Sequence, residues 1–185
     1  MWAVCTMPCV TCVARPPRGC AEDCPLESYV LSEAERQFLQ ELNDRGVRFL
    51  VVGASAAILQ GANIGTKDVD LWFESTADDR IGEAVRAVGG IWASGSFGMR
   101  PPAIGGESLG DRFDVVTHMH GMRDFQSEYG DAVQANVDGV LLRLLPLARI
   151  VASKRAAGRT KDLAQLPALE ETLAAMDGDN DDADP

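Results

Sequence analysis

The chain of 185 residues has no long uninterrupted hydrophobic run. Arg48 and Arg143 interrupt the two best candidates, so no segment offers the ~20 apolar residues that a transmembrane helix requires. The N-terminus also lacks a basic region followed by an apolar core, which is the pattern of a secretory signal peptide. These absences predict a cytoplasmic protein with no membrane partner.

Cysteine is absent beyond position 24, and acidic residues outnumber basic ones. The body of the chain therefore has no thiol that could act as a nucleophile. The net charge of −11 argues against a broad surface for nucleic acids. Positive charge is nevertheless concentrated, because the segment from Gly139 to Lys161 contains six Arg or Lys and no acid.

Three regions follow from composition. Residues 1–31 show no periodicity and are expected to form a flexible arm, and residues 177–185 are expected to form an unstructured acidic tail. A single domain would occupy residues 32–176. The arm contains all five cysteines. Cys9-x2-Cys12 and Cys20-x3-Cys24 could supply four thiolates to zinc, whereas the odd count and the lack of core-forming residues favour an unstructured extension or an over-long start.

The hydrophobic pattern within the domain predicts an α/β (α+β) fold, with a small mixed sheet flanked by helices. Ser32 and Glu35 have the spacing of a capping box, and Asp138-Gly139 is typical of a hairpin turn. The glycine-rich segment 95–110 is expected to be a loop, and residues 123–130 fit no single element. Strands are predicted at 47–52, 69–74, 112–117 and in the hairpin 132–145, and helices at about 33–45, 54–60, 77–88, 146–157 and 160–176.

A glycine turn and a pair of aspartates stand out within this pattern. Gly53-Ala54-Ser55 follows a buried strand, and Asp68-Val69-Asp70 begins the next. Alternation along a strand places both carboxylates on the face opposite the apolar residues. Two carboxylates so close repel each other unless a cation lies between them, and oxygen ligands beside phosphate suit Mg²⁺. Asp114 has the same alternation on a later strand.

The glycine turn followed by Asp-Val-Asp, with thirteen residues between Ala54 and Asp68, resembles the signature of the nucleotidyltransferase superfamily, the DNA-polymerase-beta-like fold. Ala54 stands where that pattern has Ser or Gly. A second stretch, Lys154 to Leu163, resembles the C-terminal signature of small bacterial nucleotidyltransferases, including the toxins of type IV toxin–antitoxin systems. A triphosphate also needs cations of this kind to neutralise its charge.

The resemblance implies transfer of a nucleoside monophosphate from an NTP, assisted by two Mg²⁺ ions, to an acceptor that is a small molecule, a protein or tRNA. An antitoxin protein is an implied partner. The alternative is a catalytically inactive nucleotide-binding or regulatory subunit with the same fold.

His118 and His120 are expected to be surface residues, with metal binding as the alternative. The implied metal ligands are Asp68, Asp70 and Asp114, joined in catalysis by Lys154 and Asp162, and the implied nucleotide-binding residues are Gly53, Ala54, Ser55, Thr66, Lys154 and Arg159.

Overall fold

A computed structural model describes residues 31–95 and 101–181. The elements in chain order are α1 (Glu33–Asp44), β1 (Phe49–Val52), α2 (Gly53–Ile58), β2 (Val69–Phe73), α3 (Asp79–Ala87), β3 (Ile91–Ala93), β4 (Ala103–Gly105), β5 (Phe113–Val116), α4 (Phe125–Gly130), β6 (Val133–Val137), β7 (Val140–Leu144), α5 (Leu147–Ala157) and α6 (Thr160–Asp181).

Five of the strands form one mixed sheet in the order β5-β2-β1-β7-β6. β1 is antiparallel to β2 and parallel to β7, while β2 is parallel to β5. β6 and β7 form the antiparallel hairpin at the other edge. The predicted strands therefore lie in one sheet, and the predicted fold class is confirmed.

Helix α1 begins as its capping box predicts. The Ser32 hydroxyl accepts a hydrogen bond from the Glu35 N–H at 3.2 Å, and the Glu35 carboxylate accepts one from the Ser32 N–H at 2.9 Å. Phe38 is fully buried, and its ring meets that of Phe113 on β5 edge-on at 4.9 Å. The chain leaves the helix through Gly46, whose φ of +65° suits glycine.

The β6–β7 turn is also as predicted. Asp138 and Gly139 have φ of 50° and 87°, the positive angles at both central positions that a type I′ turn requires. The ambiguous residues before the hairpin form α4. Asp124 starts this helix, because its carboxylate accepts a hydrogen bond from the Ser127 N–H at 3.0 Å.

Two expectations from local sequence need correction. Part of the segment 95–110 is strand β4, which pairs antiparallel with β3; residues 96–100 lie outside the described residues. Glycine and proline suggested a loop because strand pairing is not visible in local composition. Helix α6 continues to Asp181, five residues into the expected tail of 177–185, because an established helix extends more readily than it starts.

The remaining part of the tail, residues 182–185, and residues 1–30 of the predicted arm lie outside the described residues, and the cysteines lie there too. Leu31, placed at the end of the arm, is buried against the core. Within the part of the chain that the structure describes, no helix is both long and apolar enough to cross a membrane.

Candidate active site

A cleft of about 660 Å³ opens at the edge of the sheet where β1 ends and β2 and β5 begin. The strand ends form one wall, and helices α5 and α6 form the facing wall. Nearly all residues implied by the sequence resemblance line this cleft. They are Gly53, Ala54, Thr66, Asp68, Asp70, Asp114, Lys154, Arg159 and Asp162.

Asp70 lies against the glycine turn. It pairs in register with Val52, the last residue of β1, so its side chain sits beside Gly53. Gly53 has a φ of +63°, and a Cβ atom there would lie 2.9 Å from Cγ of Asp70. The glycine is therefore required twice, once by the backbone angle and once by the carboxylate beside it.

Ser55 does not line the cleft with the other implied residues. It is fully buried, its hydroxyl donates to the Val52 carbonyl at 2.9 Å, and the same oxygen accepts from the Asp70 N–H at 3.3 Å. The implied contact of this side chain with phosphate is therefore corrected to a structural role. The hydroxyl ties the end of β1 to β2 and so holds Asp70 in place. The sequence shows the serine but not the direction of its side chain.

Asp70 and Asp114 are direct neighbours on parallel strands. Paired strands lie about 4.8 Å apart, and residues in register share a face of the sheet. Burial raises the pKa of Asp70 to about 6, the neighbouring charges of Asp114 and Asp68 raise it as well, and Lys154 and Lys161 act in the opposite direction. The two carboxylates repel each other, and a cation would relieve that repulsion.

Asp68 precedes β2 and is held by its own turn. The Thr66 hydroxyl accepts from the Asp68 N–H at 3.3 Å and donates to the Asp68 carbonyl at 3.4 Å. Within residues 31–95 and 101–181, no three side chains of the acidic, histidine or cysteine type are grouped closely enough to hold a metal by themselves. The pair Asp70–Asp114 fits Mg²⁺ in another way, since this ion is usually held by one or two carboxylates together with substrate phosphates.

The facing wall carries a cluster of opposite charges. Lys154 on α5 donates to the Asp162 carboxylate at 3.1 Å, and Arg159 donates to its other oxygen at 2.5 Å. Asp162 is buried. Burial opposes ionisation of Asp162, but the hydrogen bonds from Arg159 and Lys154 outweigh it and lower its pKa. Asp162 therefore holds Lys154 and Arg159 in place on this wall of the cleft.

Sequence reasoning did not assign a role to Lys161, which also lines the cleft. It is exposed and has no ion-pair partner among the described residues. Its positive charge nevertheless acts on Asp70, where it opposes the rise in pKa. Its place directly before Asp162 is the signal that could have identified it. His118 and His120 are exposed as predicted, but they line the cleft too, with their rings edge-on at 5.1 Å.

A buried carboxylate outside the cleft was also missed. Glu128 on α4 is fully buried and accepts hydrogen bonds from Arg149 at 2.5 Å and from Arg123 at 3.1 Å. Burial opposes its ionisation, but these two guanidinium groups lower its pKa to about 2. Because Arg149 belongs to α5, this network fixes the helix that carries Lys154. The sequence contains no signal of this role, because Glu128 is a single glutamate in a segment that fits no one element.

No model of a protein family matches the chain, and no curated protein matches it in sequence. Similarity appears among solved structures. The antibiotic-resistance factor ANT(2″)-Ia, crystallised with adenylyl-2″-tobramycin, aligns with a TM-score of 0.52 at 15% identity over 76% of this chain and 88% of its own. Its solution structure aligns with a TM-score of 0.52 at 13% identity over 77% and 84% of the two chains. At such identities the similarity shows a shared fold, in agreement with the nucleotidyltransferase fold that the sequence predicts.

Proposed function

We propose that the protein transfers a nucleoside monophosphate from an NTP to an acceptor hydroxyl and releases pyrophosphate. One observation carries this proposal. Asp70 and Asp114 lie in register on one wall of a cleft, and the cations Lys154, Arg159 and Lys161 lie on the opposite wall. Such a cleft offers carboxylates for Mg²⁺ and positive charge for the triphosphate, which are the two requirements of this chemistry.

Each residue has a distinct part. Asp70 and Asp114 would hold Mg²⁺, with Asp68 close by, and the bound ion would neutralise charge on the phosphates. Lys154 and Lys161 bind the triphosphate, and the backbone at Gly53 and Ala54 lies beside it in the cleft.

In the transfer step, the acceptor oxygen forms a bond to the α-phosphorus. The bond from that phosphorus to the bridging oxygen breaks, and pyrophosphate leaves with the electron pair. Asp114 is exposed whereas Asp70 is half-buried. Asp114 is therefore the carboxylate to which the acceptor hydroxyl gives its proton.

The charges favour a small molecule or a protein over RNA as acceptor. An RNA acceptor needs a continuous basic track, but the basic residues of segment 139–161 do not form one. Arg149 is paired with buried Glu128, and Arg155 with Glu170 at 2.8 Å. Arg143 lines a different groove of about 430 Å³. The solved neighbour carries an adenylylated antibiotic, so amino-sugar antibiotics are the first small molecules to test.

The test is incubation with each labelled NTP and Mg²⁺, in the presence of amino-sugar antibiotics, bulk protein or tRNA. Wild type should label one of these acceptors, and Asp70→Ala should not. Absence of both labelling and NTP binding in the wild type would overturn the proposal.

A toxin role is tested in cells. Growth arrest of a bacterial host that disappears in Asp70→Ala, together with altered tRNA 3′ ends, would replace the small-molecule acceptor with tRNA and support an antitoxin partner. Unaffected growth with both forms would support the small-molecule or protein acceptor.

A second candidate is a nucleotide-binding subunit without turnover. One observation favours it: the side chain of Ser55, which the resemblance assigns to nucleotide binding, is buried and turned away from the cleft. Calorimetry separates the two candidates. NTP·Mg²⁺ binding without turnover, and unchanged in Asp114→Asn, would select the binding subunit.

A further inference from the structure

Gln165 on α6 contacts Lys154 more closely than Asp162 does. Its amide oxygen accepts a hydrogen bond from the Lys154 ammonium at 2.7 Å, compared with 3.1 Å for the bond to Asp162. Gln165 is half-buried and lines the same cleft. We propose that Gln165 is a positioning residue that directs the Lys154 ammonium at the bound triphosphate. This inference rests on the proposed function.

A lysine ammonium has three N–H groups that can donate hydrogen bonds. Asp162 and Gln165 each accept one of them from Lys154, which leaves one N–H for the substrate. A single acceptor would fix one direction and allow the ammonium to rotate about it. Two acceptors fix two directions, so tetrahedral geometry also fixes the third.

The spacing of the two acceptors places them together. Asp162 and Gln165 are three residues apart on α6, so their side chains share a helix face. That face is turned to α5, where Lys154 is only 11% exposed. Long flexible side chains lose rotational freedom when they are held in this way, so the arrangement prepares the ammonium before substrate arrives.

Gln165 is neutral, so it does not change the net charge around Lys154. Asp162 carries one negative charge, and it is shared by Lys154 and Arg159. The trio therefore retains a net positive charge that can attract a triphosphate. A carboxylate at position 165 would cancel that charge while still accepting the lysine hydrogen bond. An amide orients the lysine without neutralising it.

A double-mutant cycle tests the coupling. Gln165→Met should lower kcat/KM for the NTP by roughly tenfold to a hundredfold, since small displacements in an active site have effects of that size. The same change should have no further effect in a Lys154→Met background. Two independent losses that simply multiply would overturn the inference, because they would show that Gln165 acts without Lys154.

Glu170→Met is the matched control. It removes another hydrogen bond between α5 and α6, from Arg155 to Glu170 at 2.8 Å, at a position that does not line the cleft. Its kcat/KM should equal that of wild type. A loss as large as that of Gln165→Met would show that Gln165 only ties the helices together.

Nuclear magnetic resonance of ¹⁵N-labelled lysine gives a readout that does not depend on activity. The ammonium of Lys154 should give a signal protected from solvent exchange in wild type and in Gln165→Glu, and that signal should be lost in Gln165→Met. An unchanged signal in Gln165→Met would overturn the inference. Gln165→Glu should also bind NTP more weakly than wild type, because its added charge cancels that of the lysine.

The two readouts separate the inference from the proposed function. Turnover in the wild type no higher than in Asp70→Asn would defeat the proposed function. The lysine signal would then decide whether Gln165 positions Lys154.

Discussion

The carboxylate of Asp70 fills the space that a side chain at position 53 would occupy. The turn after β1 and the first carboxylate of β2 are therefore a single unit. The Ser55 hydroxyl completes it by bonding to the backbone of both strands. Gly53 therefore leaves room for the Asp70 carboxylate and also allows the backbone to turn.

Gly53→Ala should abolish binding of Mg²⁺·NTP and lower the melting temperature. The new methyl group overlaps the Asp70 carboxylate, and alanine at a φ of +63° also costs ~1–2 kcal/mol. Gly61→Ala is the control, since position 61 has a φ of +94° but open space around its Cβ. Calorimetry and thermal unfolding measure both effects. Equal NTP binding in the two variants would show that the contact with Asp70 is unimportant.

The contribution of Asp70 to the stability of the metal-free protein should fall as the pH rises from about 4 to about 6. The pKa of Asp70 is raised from 3.8 to about 6 in the folded protein. The folded state therefore holds this proton more tightly than the unfolded state, and that advantage is lost as the pH rises through the folded pKa. Asp70→Asn should melt at a higher temperature than wild type at pH 7.5 but not at pH 3.5. Thermal unfolding without metal, at a series of pH values, makes the comparison.

Added Mg²⁺ should raise the melting temperature of wild type at pH 7.5 more than at pH 5, because a protonated Asp70 is a poor ligand. Asp70→Asn should show little response at either pH. A response to Mg²⁺ that is equal in wild type and variant would place the ion elsewhere.

Lys161→Met should raise the KM for the NTP about tenfold, a loss of ~1.4 kcal/mol in binding. The reason is that Lys161 lines the cleft with no acid to hold it elsewhere among the described residues. Arg86→Met is the matched control, because Arg86 lies on α3, away from the cleft, and likewise has no ion-pair partner in the described part of the chain. Steady-state kinetics at fixed ionic strength compare the two. A similar rise in both would indicate only a general effect of net charge.

Glu128→Gln should destabilise the fold by about 3–5 kcal/mol, the usual cost of breaking a buried ion pair. Urea unfolding at pH 7 measures this value. Asp131→Asn, which removes an exposed carboxylate from the same Arg123, should cost less than about 1 kcal/mol.

The pKa of Glu128 is lowered from 4.5 to about 2, so its contribution to stability is present above pH 4.5 and is lost as the pH falls through 2. Acid unfolding of Glu128→Gln should therefore not show this loss of stability at low pH.

Much of the fold could be predicted because its signals are local. The capping box at Ser32 and the turn at Asp138-Gly139 depend on residues a few positions apart, and both appear in the structure as predicted. The alternation that separates Asp70 from its apolar neighbours is equally local. Strands β3 and β4 escaped prediction because each is three residues long and is defined by its partner.

The site depended on information that the sequence does not contain. Alternation indicated the face on which Asp114 lies, but only the parallel pairing of β2 and β5 sets it beside Asp70. The same holds for the helices: Lys154 and Asp162 were implied by resemblance, whereas Gln165 became visible only when α6 packed on α5. Local sequence determines which elements form and which faces are apolar. Packing of distant segments decides which side chains meet, because those contacts depend on the three-dimensional arrangement of the whole chain.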